Sequence, residues 1–173
     1  NFFDWDSIAD MIDVHDLGEL ISGDLVRSRK DYQEVRGNHK SRERNGFNRL
    51  VNKYIQDESL RGDVVSSYVR YTDLDQNDQD ALFTHLLDKI QAIRFGLVNV
   101  YNDRILPFDI SEKQALMSMG LIFEFAGPLI QIAKGDVKRE LLALTQVEIG
   151  RYRRSGFTLL AEEARARLFK RES

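Results

Sequence analysis

Residues 78–101, DQDALFTHLLDKIQAIRFGLVNVY, decide the fold that the sequence predicts. Apolar side chains recur there at i, i+3, i+4 and i+7 spacing and form one wide face, which is typical of an amphipathic helix packed on a core. We therefore predict a long core helix over residues 79–103. The apolar positions are Leu82, Phe83, Leu86, Leu87, Ile90, Ile93, Leu97, Val98 and Tyr101.

Helix boundaries are readable on the C-terminal side of this segment. RILPFDI (104–110) is a predicted loop, because the residue before Pro107 is pushed out of the helical region. SEKQ (111–114) is a capping box that opens a helix over 112–133. Gly135-Asp136 separates that helix from one over 137–154, and Gly156 precedes a final helix that begins TLLAEEARAR.

The N-terminal side predicts shorter helices. Asp6 or Ser7 is suited to cap a first helix and Asp16 a second. Apolar residues keep helical spacing between residues 25 and 56, except that residues 37–46 contain none. This gap is either a loop joining two helices or a helix turn that stands in solvent, and we favour the loop. The whole predicts a single all-α domain, an irregular antiparallel bundle of six to seven helices. An N-terminal arm (1–26) precedes the bundle (27–173).

Composition indicates a soluble protein. The 173 residues hold 42% hydrophobic and 31% charged residues, two prolines and no cysteine, which excludes disulfides and zinc sites built on sulfur. No signal peptide is visible, and we expect a cytoplasmic location. A start at Asn is consistent with a trimmed fragment, so a membrane anchor upstream stays an open alternative. The apolar stretch 115–133 contains Glu124 and Gly127-Pro128, and we interpret it as a buried core helix.

The acidic stretch YTDLDQNDQDALF (71–83) resembles a calcium loop at first sight. Counted from Asp73, however, Asp78 stands where an EF-hand needs glycine, and Thr84 stands where it needs a bidentate glutamate. A helix start accounts for the same residues: Asn77 or Asp78 caps the helix, and Asp80 lies at the positive end of its dipole. We therefore predict no metal site here.

Motifs of catalysis are absent from the sequence. There is no Walker A loop, no G-x-S-x-G and no G-x-G-x-x-G, and none of the three histidines stands four residues from another. We predict no catalytic residue, no metal and no cofactor. One position stands out: Glu124 is the lone charge in an apolar helix, and a buried carboxylate needs a partner. We expect it to pair with Arg94 or Arg104, or else to face a pocket near His85.

The charges form blocks. Residues 1–26 hold seven acids and no Lys or Arg, residues 27–53 hold nine basic side chains, and residues 54–80 are acidic again. The basic block is a possible surface for an anionic partner: Arg27, Arg29, Lys30, Arg36, Lys40, Arg42 and Arg44. The acidic arm carries an apolar set suited to docking on a partner or on the basic block of the same or a second chain: Phe2, Phe3, Trp5, Ile8 and Met11.

Residues 60–142 are similar to a family of bacterial helical domains of unknown function that are often tethered by an N-terminal membrane helix. The resemblance lies in YVRYTDLDQNDQDALFTHLL (68–87), NDRILPFDISEKQ (102–114) and GPLIQIAKGDVKREL (127–141). It implies an all-helical fold and no particular activity.

Three classes of function follow. The favoured one is a non-enzymatic interaction or scaffold domain, with a protein partner or a second copy of itself. The alternatives are a nucleic-acid-binding module that uses residues 27–53, which the acidic flanks disfavour, and a ligand-binding sensor or helical enzyme with a pocket near Glu124.

Overall fold

The structure is all-α, as predicted. A computed structural model describes residues 2–23, 32–101 and 112–170; the side chains of 32–34, 95–101, 112–114 and 167–170 are not described. These residues form eight helices and no strand. The helices are α1 Trp5–Val14, α2 Glu19–Ser22, α3 Tyr32–Tyr54, α4 Glu58–Thr72, α5 Gln79–Tyr101, α6 Glu112–Ile132, α7 Gly135–Arg154 and α8 Thr158–Lys170.

The chain divides into two compact units. The N-terminal unit is Phe3–Ala81, and the C-terminal unit is Leu82–Ser173 together with Asn1–Phe2. The first unit therefore contains α1 to α4 and the first turn of α5. The second contains the rest of α5 and the helices α6 to α8.

In the N-terminal unit, α1 packs on α4, α2 on α3, and α3 on α4. Its core is a cluster formed by Val14, Phe47, Val51 and Tyr68. The rings of Phe47 and Tyr68 stack with their centroids 3.6 Å apart and their planes 7° apart. Burying each of these side chains stabilises the unit by roughly 1.5–3 kcal/mol, which makes the stacked pair the main contact between α3 and α4.

Helix α3 runs without interruption through residues 37–46, so the predicted loop is wrong. A stretch without apolar residues can stay helical when another element packs against it, and here α2 packs on α3. The contact is close: a β-carbon at Gly18 would lie 2.7 Å from the carbonyl oxygen of Glu43. The lysine and arginine side chains of this stretch are exposed, Glu43 is half-buried, and their residue types are compatible with a helix.

Two glycines test this arrangement. A β-carbon at Gly37 meets no atom within 4 Å, so Gly37→Ala should stabilise the chain by about 0.5–1 kcal/mol, as in any exposed helix interior. Gly18→Ala should destabilise it instead, because the backbone of α3 has to move. Chemical unfolding of both variants measures the two effects. A loss of stability in Gly37→Ala would contradict a continuous α3.

The C-terminal unit contains the three helices predicted as the core, with bounds close to those expected. Only Ala133 and Lys134 separate α6 from α7, and Ser155–Phe157 separate α7 from α8, so consecutive helices pack on each other as antiparallel neighbours. The second turn needs Gly156, whose φ is +90°.

Helix α6 continues through Pro128 instead of ending there. By length and composition its residues Ala115–Ile132 would suffice to cross a membrane, and 39% of that window is buried within the protein. Its buried side chains make it a core helix of the C-terminal unit, as the sequence indicates. They are Ala115, Met119, Ile122, Phe125, Ala126, Leu129 and Ile130.

Candidate functional site

The buried carboxylate of the C-terminal unit is Glu148 and not Glu124, which corrects the sequence prediction. Glu124 is exposed on α6. The helical face that carries it lies opposite Ile122 and Phe125, which are buried. The apolar residues next to Glu124 in the sequence therefore lie on other faces of α6. Arg104, its second predicted partner, lies outside the described residues.

Glu148 lies on α7 with its side chain wholly buried, and Arg94 of α5 reaches it from a half-exposed position. Arg94 Nη2 donates to Glu148 Oε1 at 2.5 Å, and Arg94 Nε donates to the same oxygen at 3.1 Å. The hydrogen bond with Glu148 raises the pKa of Arg94 further above its usual value. Arg151 Nε lies 3.1 Å from Oε2, outside hydrogen-bonding geometry. Two cations thus offset one buried anion.

A pair of hydroxyl groups, Tyr152 of α7 and Ser118 of α6, lies one helical turn beyond Glu148. The oxygens of Tyr152 and Ser118 are 2.7 Å apart. The Ser118 hydroxyl donates its proton to the carbonyl oxygen of Ala115, so Tyr152 is the donor in the pair. Burial raises the pKa of Tyr152 to about 12, and the negative charge of Glu148 adds to this effect. The hydrogen bond with Ser118 acts in the opposite direction but is weaker. The hydroxyl stays protonated at neutral pH and acts as a structural donor.

His85 is the last member of the predicted polar site. It is half-buried on α5 and stacks on Phe125, with ring centroids 4.9 Å apart and planes 9° apart. Across the described ranges, no three acidic or histidine side chains are placed to hold a metal ion.

The pairing of Glu148 can be tested by removing its partner. Arg94→Met leaves a buried carboxylate with Arg151 alone and should lower the free energy of unfolding by about 3 kcal/mol, the lower end of the cost of breaking a buried ion pair. Arg139→Met is the matched control, since its ion pair with Asp136 is exposed on both sides and should contribute at most about 1 kcal/mol. Urea unfolding at neutral pH compares the two. Equal costs would show that Glu148 does not depend on Arg94.

The aspartate stretch of the N-terminal unit is a helix start, as predicted. Asp78 Oδ1 accepts from the amides of Asp80 and Ala81 at 3.1 and 3.0 Å, which caps α5. Arg70 of α4 donates to Asp78 through two nitrogens and to Asp80 Oδ2 at 2.9 Å. Arg70 also contacts the hydroxyl of Ser7 in α1. One guanidinium group therefore joins α1 and α4 to the start of α5.

The same contacts set the ionisation of the cap. Burial alone would raise the pKa of Asp78, but the hydrogen bonds from Arg70 and from the two backbone amides outweigh it and lower the pKa. A carboxyl group whose pKa is lowered by folding stabilises the protein above its unfolded pKa, and this stabilisation is lost as the pH falls through the folded pKa.

Asp78→Asn keeps a side chain that can cap the helix but removes the ion pair. We expect it to cost about 1–3 kcal/mol at pH 7, and we expect this cost to shrink as the pH falls below the ordinary aspartate pKa near 3.9. Unfolding measured from pH 7 to pH 2.5 checks both points. Asp75→Asn serves as control, because the Asp75 side chain accepts from the neighbouring Asn77 and forms no ion pair among the described residues. A cost that does not vary with pH would contradict the role given to the ion pair.

The described part of the basic block lies on α3, and its cations are partly engaged within the unit. Arg36, Lys40, Arg42 and Arg44 are all exposed. Arg44 pairs with Asp73 at 2.6 Å, and Arg42 donates to the carbonyl oxygen of Ser22 at 3.2 Å. Arg27, Arg29 and Lys30 lie outside the described residues.

The apolar arm is largely a part of the N-terminal core. Phe3, Ile8 and Met11 are buried, Phe2 is half-buried, and Trp5 remains 60% exposed. The arm also meets the basic block, since α2 packs on α3. The packing within one chain thus accounts for most of the arm and leaves the surface at Trp5 open.

A groove between α7 and α8 was missed by the sequence analysis. It has a volume of about 750 Å³ and is open to solvent. Its floor consists of small or apolar residues: Ala143, Ile149, Gly150 and Ala161. A β-carbon at Gly150 would meet only the Arg154 side chain within 4 Å, so the space above this position is open. Val147, which is 50% exposed, forms part of one wall.

Three arginines surround the groove: Arg153 and Arg154 at the end of α7, and Arg165 on α8. All three are exposed, and none has a hydrogen-bond or ion-pair partner among the described residues. Arg154 lies across Gly150, with its Nη1 3.5 Å from the place of a β-carbon. Arg153 and Arg154 lie in the last turn of α7, where their charge interacts favourably with the negative end of the helix dipole. Arg165 lies near the middle of α8 and makes no such interaction.

The signal for this groove is present in the sequence but ambiguous. RYRR (151–154) places arginines on several faces of one helix, and only packing shows which of them share a groove with Arg165. No family model, no curated protein and no solved structure matches the chain.

Proposed function

We propose that this chain is a non-enzymatic protein-interaction module that holds a peptide segment of its partner in the α7–α8 groove. One observation carries the proposal: the groove combines an apolar floor with cations that have no partner among the described residues. Binding sites for protein segments commonly pair an apolar centre with a polar rim. Arginine is also among the residue types enriched at such interfaces.

The ionised groups inside the units support a binding role over a catalytic one. Glu148 is used by Arg94, and Asp78 by Arg70 and two backbone amides. These carboxylates hold helices together and are not directed into the groove. The burial and pairing of these carboxylates are thus explained by their role in the fold, and no catalytic role is needed to account for them.

The two alternative functions have less support. Among the described residues, the groove lining contains no aromatic ring on which a nucleic-acid base would stack. Arg42 and Arg44 of the basic block are engaged inside their own unit. A sensor pocket near Glu124 was the other alternative. Glu124 does not line the groove, and it is exposed.

A random-peptide display library panned on the chain tests the proposal without assuming a partner. We expect selected peptides to bind in the groove, and Gly150→Gln to weaken them about tenfold, since a long side chain would then occupy the floor; tenfold corresponds to about 1.4 kcal/mol. Gly62→Gln on α4 is the matched control, because Gly62 is also helical and its surroundings are open.

Fluorescence anisotropy with the selected peptides measures both variants. Peptides that bind both variants equally, or a failure to select any peptide, would overturn the proposed function.

A further inference from the structure

The groove also indicates the chemistry of its occupant. We propose that it binds an acidic amphipathic helical segment of a partner protein, with apolar side chains on the floor and carboxylates on the rim. This inference rests on the proposed function and adds the class of partner to it.

The charge of the rim favours an anionic segment. In the described part of the lining, three cations (Arg153, Arg154 and Arg165) stand beside one acid, Glu162. Guanidinium groups present planar pairs of donors that match a carboxylate in a bidentate arrangement. Because these cations have no partner among the described residues, they do not have to give up an internal ion pair to bind.

The floor favours a protein segment over a phosphate compound. Ala143 on the floor and Val147 on the wall are exposed and offer aliphatic surface, which attracts apolar side chains and offers nothing to a phosphate. A groove of about 750 Å³ is also far larger than a phosphate group needs. This volume lies in the range of concave sites that take drug-sized ligands, so it has room for several apolar side chains of a bound segment.

The dimensions fit a short helix. Along α7, the groove lining extends from Ala143 to Arg154. At a rise of 1.5 Å per residue this distance is about 16 Å, which corresponds to about three turns of a bound helix. Such a helix would place apolar residues at i, i+3, i+4 and i+7 on the floor and acidic residues beside them, the mode known for helices bound in grooves.

Three synthetic peptides test the charge requirement. Each has about 15 residues, which is enough for three to four helical turns. They share apolar residues at i, i+3, i+4 and i+7 and carry Glu, Gln or Lys at the flanking positions. We expect the Glu peptide to bind about tenfold more tightly than the Gln peptide at about 50 mM salt, and the advantage to shrink at about 500 mM, where exposed charges are screened.

Charge reversal locates the effect. The double variant Arg153→Glu/Arg165→Glu should lose the preference for the Glu peptide and prefer the Lys peptide. The control Lys134→Glu/Arg139→Glu makes the same change of charge at residues that do not line the groove, and it should keep the original preference. The neutral variant Arg153→Gln/Arg165→Gln provides a second test if the reversed one does not fold, with circular dichroism as the check on folding.

The outcomes separate the two proposals. Peptides selected from the random library that bind the groove but are not acidic would overturn this inference and leave the proposed function standing. Equal affinity for the Glu and Gln peptides would overturn it as well. A single-stranded oligonucleotide that binds more tightly than the Glu peptide, and loses affinity in the charge-reversed variant, would reassign the groove to nucleic acid.

Discussion

A carboxylate can be buried in a protein only together with a cation and hydrogen-bond donors, and both units of this chain are built around that constraint. In the C-terminal unit, Glu148 on α7 is buried because Arg94 comes to it from α5. In the N-terminal unit, Arg70 holds the two carboxylates at the start of α5 and contacts α1. The apolar cores supply most of the stability, and these contacts fix which helices lie side by side.

The same constraint explains why the α7–α8 groove stands apart from the other charged regions. Several arginines elsewhere are used within the fold: Arg44 by Asp73, Arg70 by Asp78 and Arg94 by Glu148. The arginines of the groove lie over an apolar floor and have no such use among the described residues. A surface that combines apolar area with cations of this kind is better suited to binding than to stabilising the monomer.

Much of the fold was predictable because it depends on local rules. The wide apolar face of residues 78–101 and the turn signals at residues 135 and 156 gave the long helices nearly to the residue. The aspartates before α5 were identified as a cap because an EF-hand needs glycine and glutamate at positions where this chain lacks them. The prediction failed at residues 37–46, where α2 supports a stretch of α3 that contains no apolar residue.

The sequence by itself determined the all-α class, the long helices and the capping of α5, because helix periodicity and caps are properties of neighbouring residues. Only the tertiary structure decided which charges are buried and which face a groove. Glu124 and Glu148 are both glutamates on helices, and the sequence favours Glu124 for burial because its neighbours are apolar. Burial depends instead on the direction of a side chain toward other helices, and that direction placed Glu148 beside Arg94 and Glu124 in solvent.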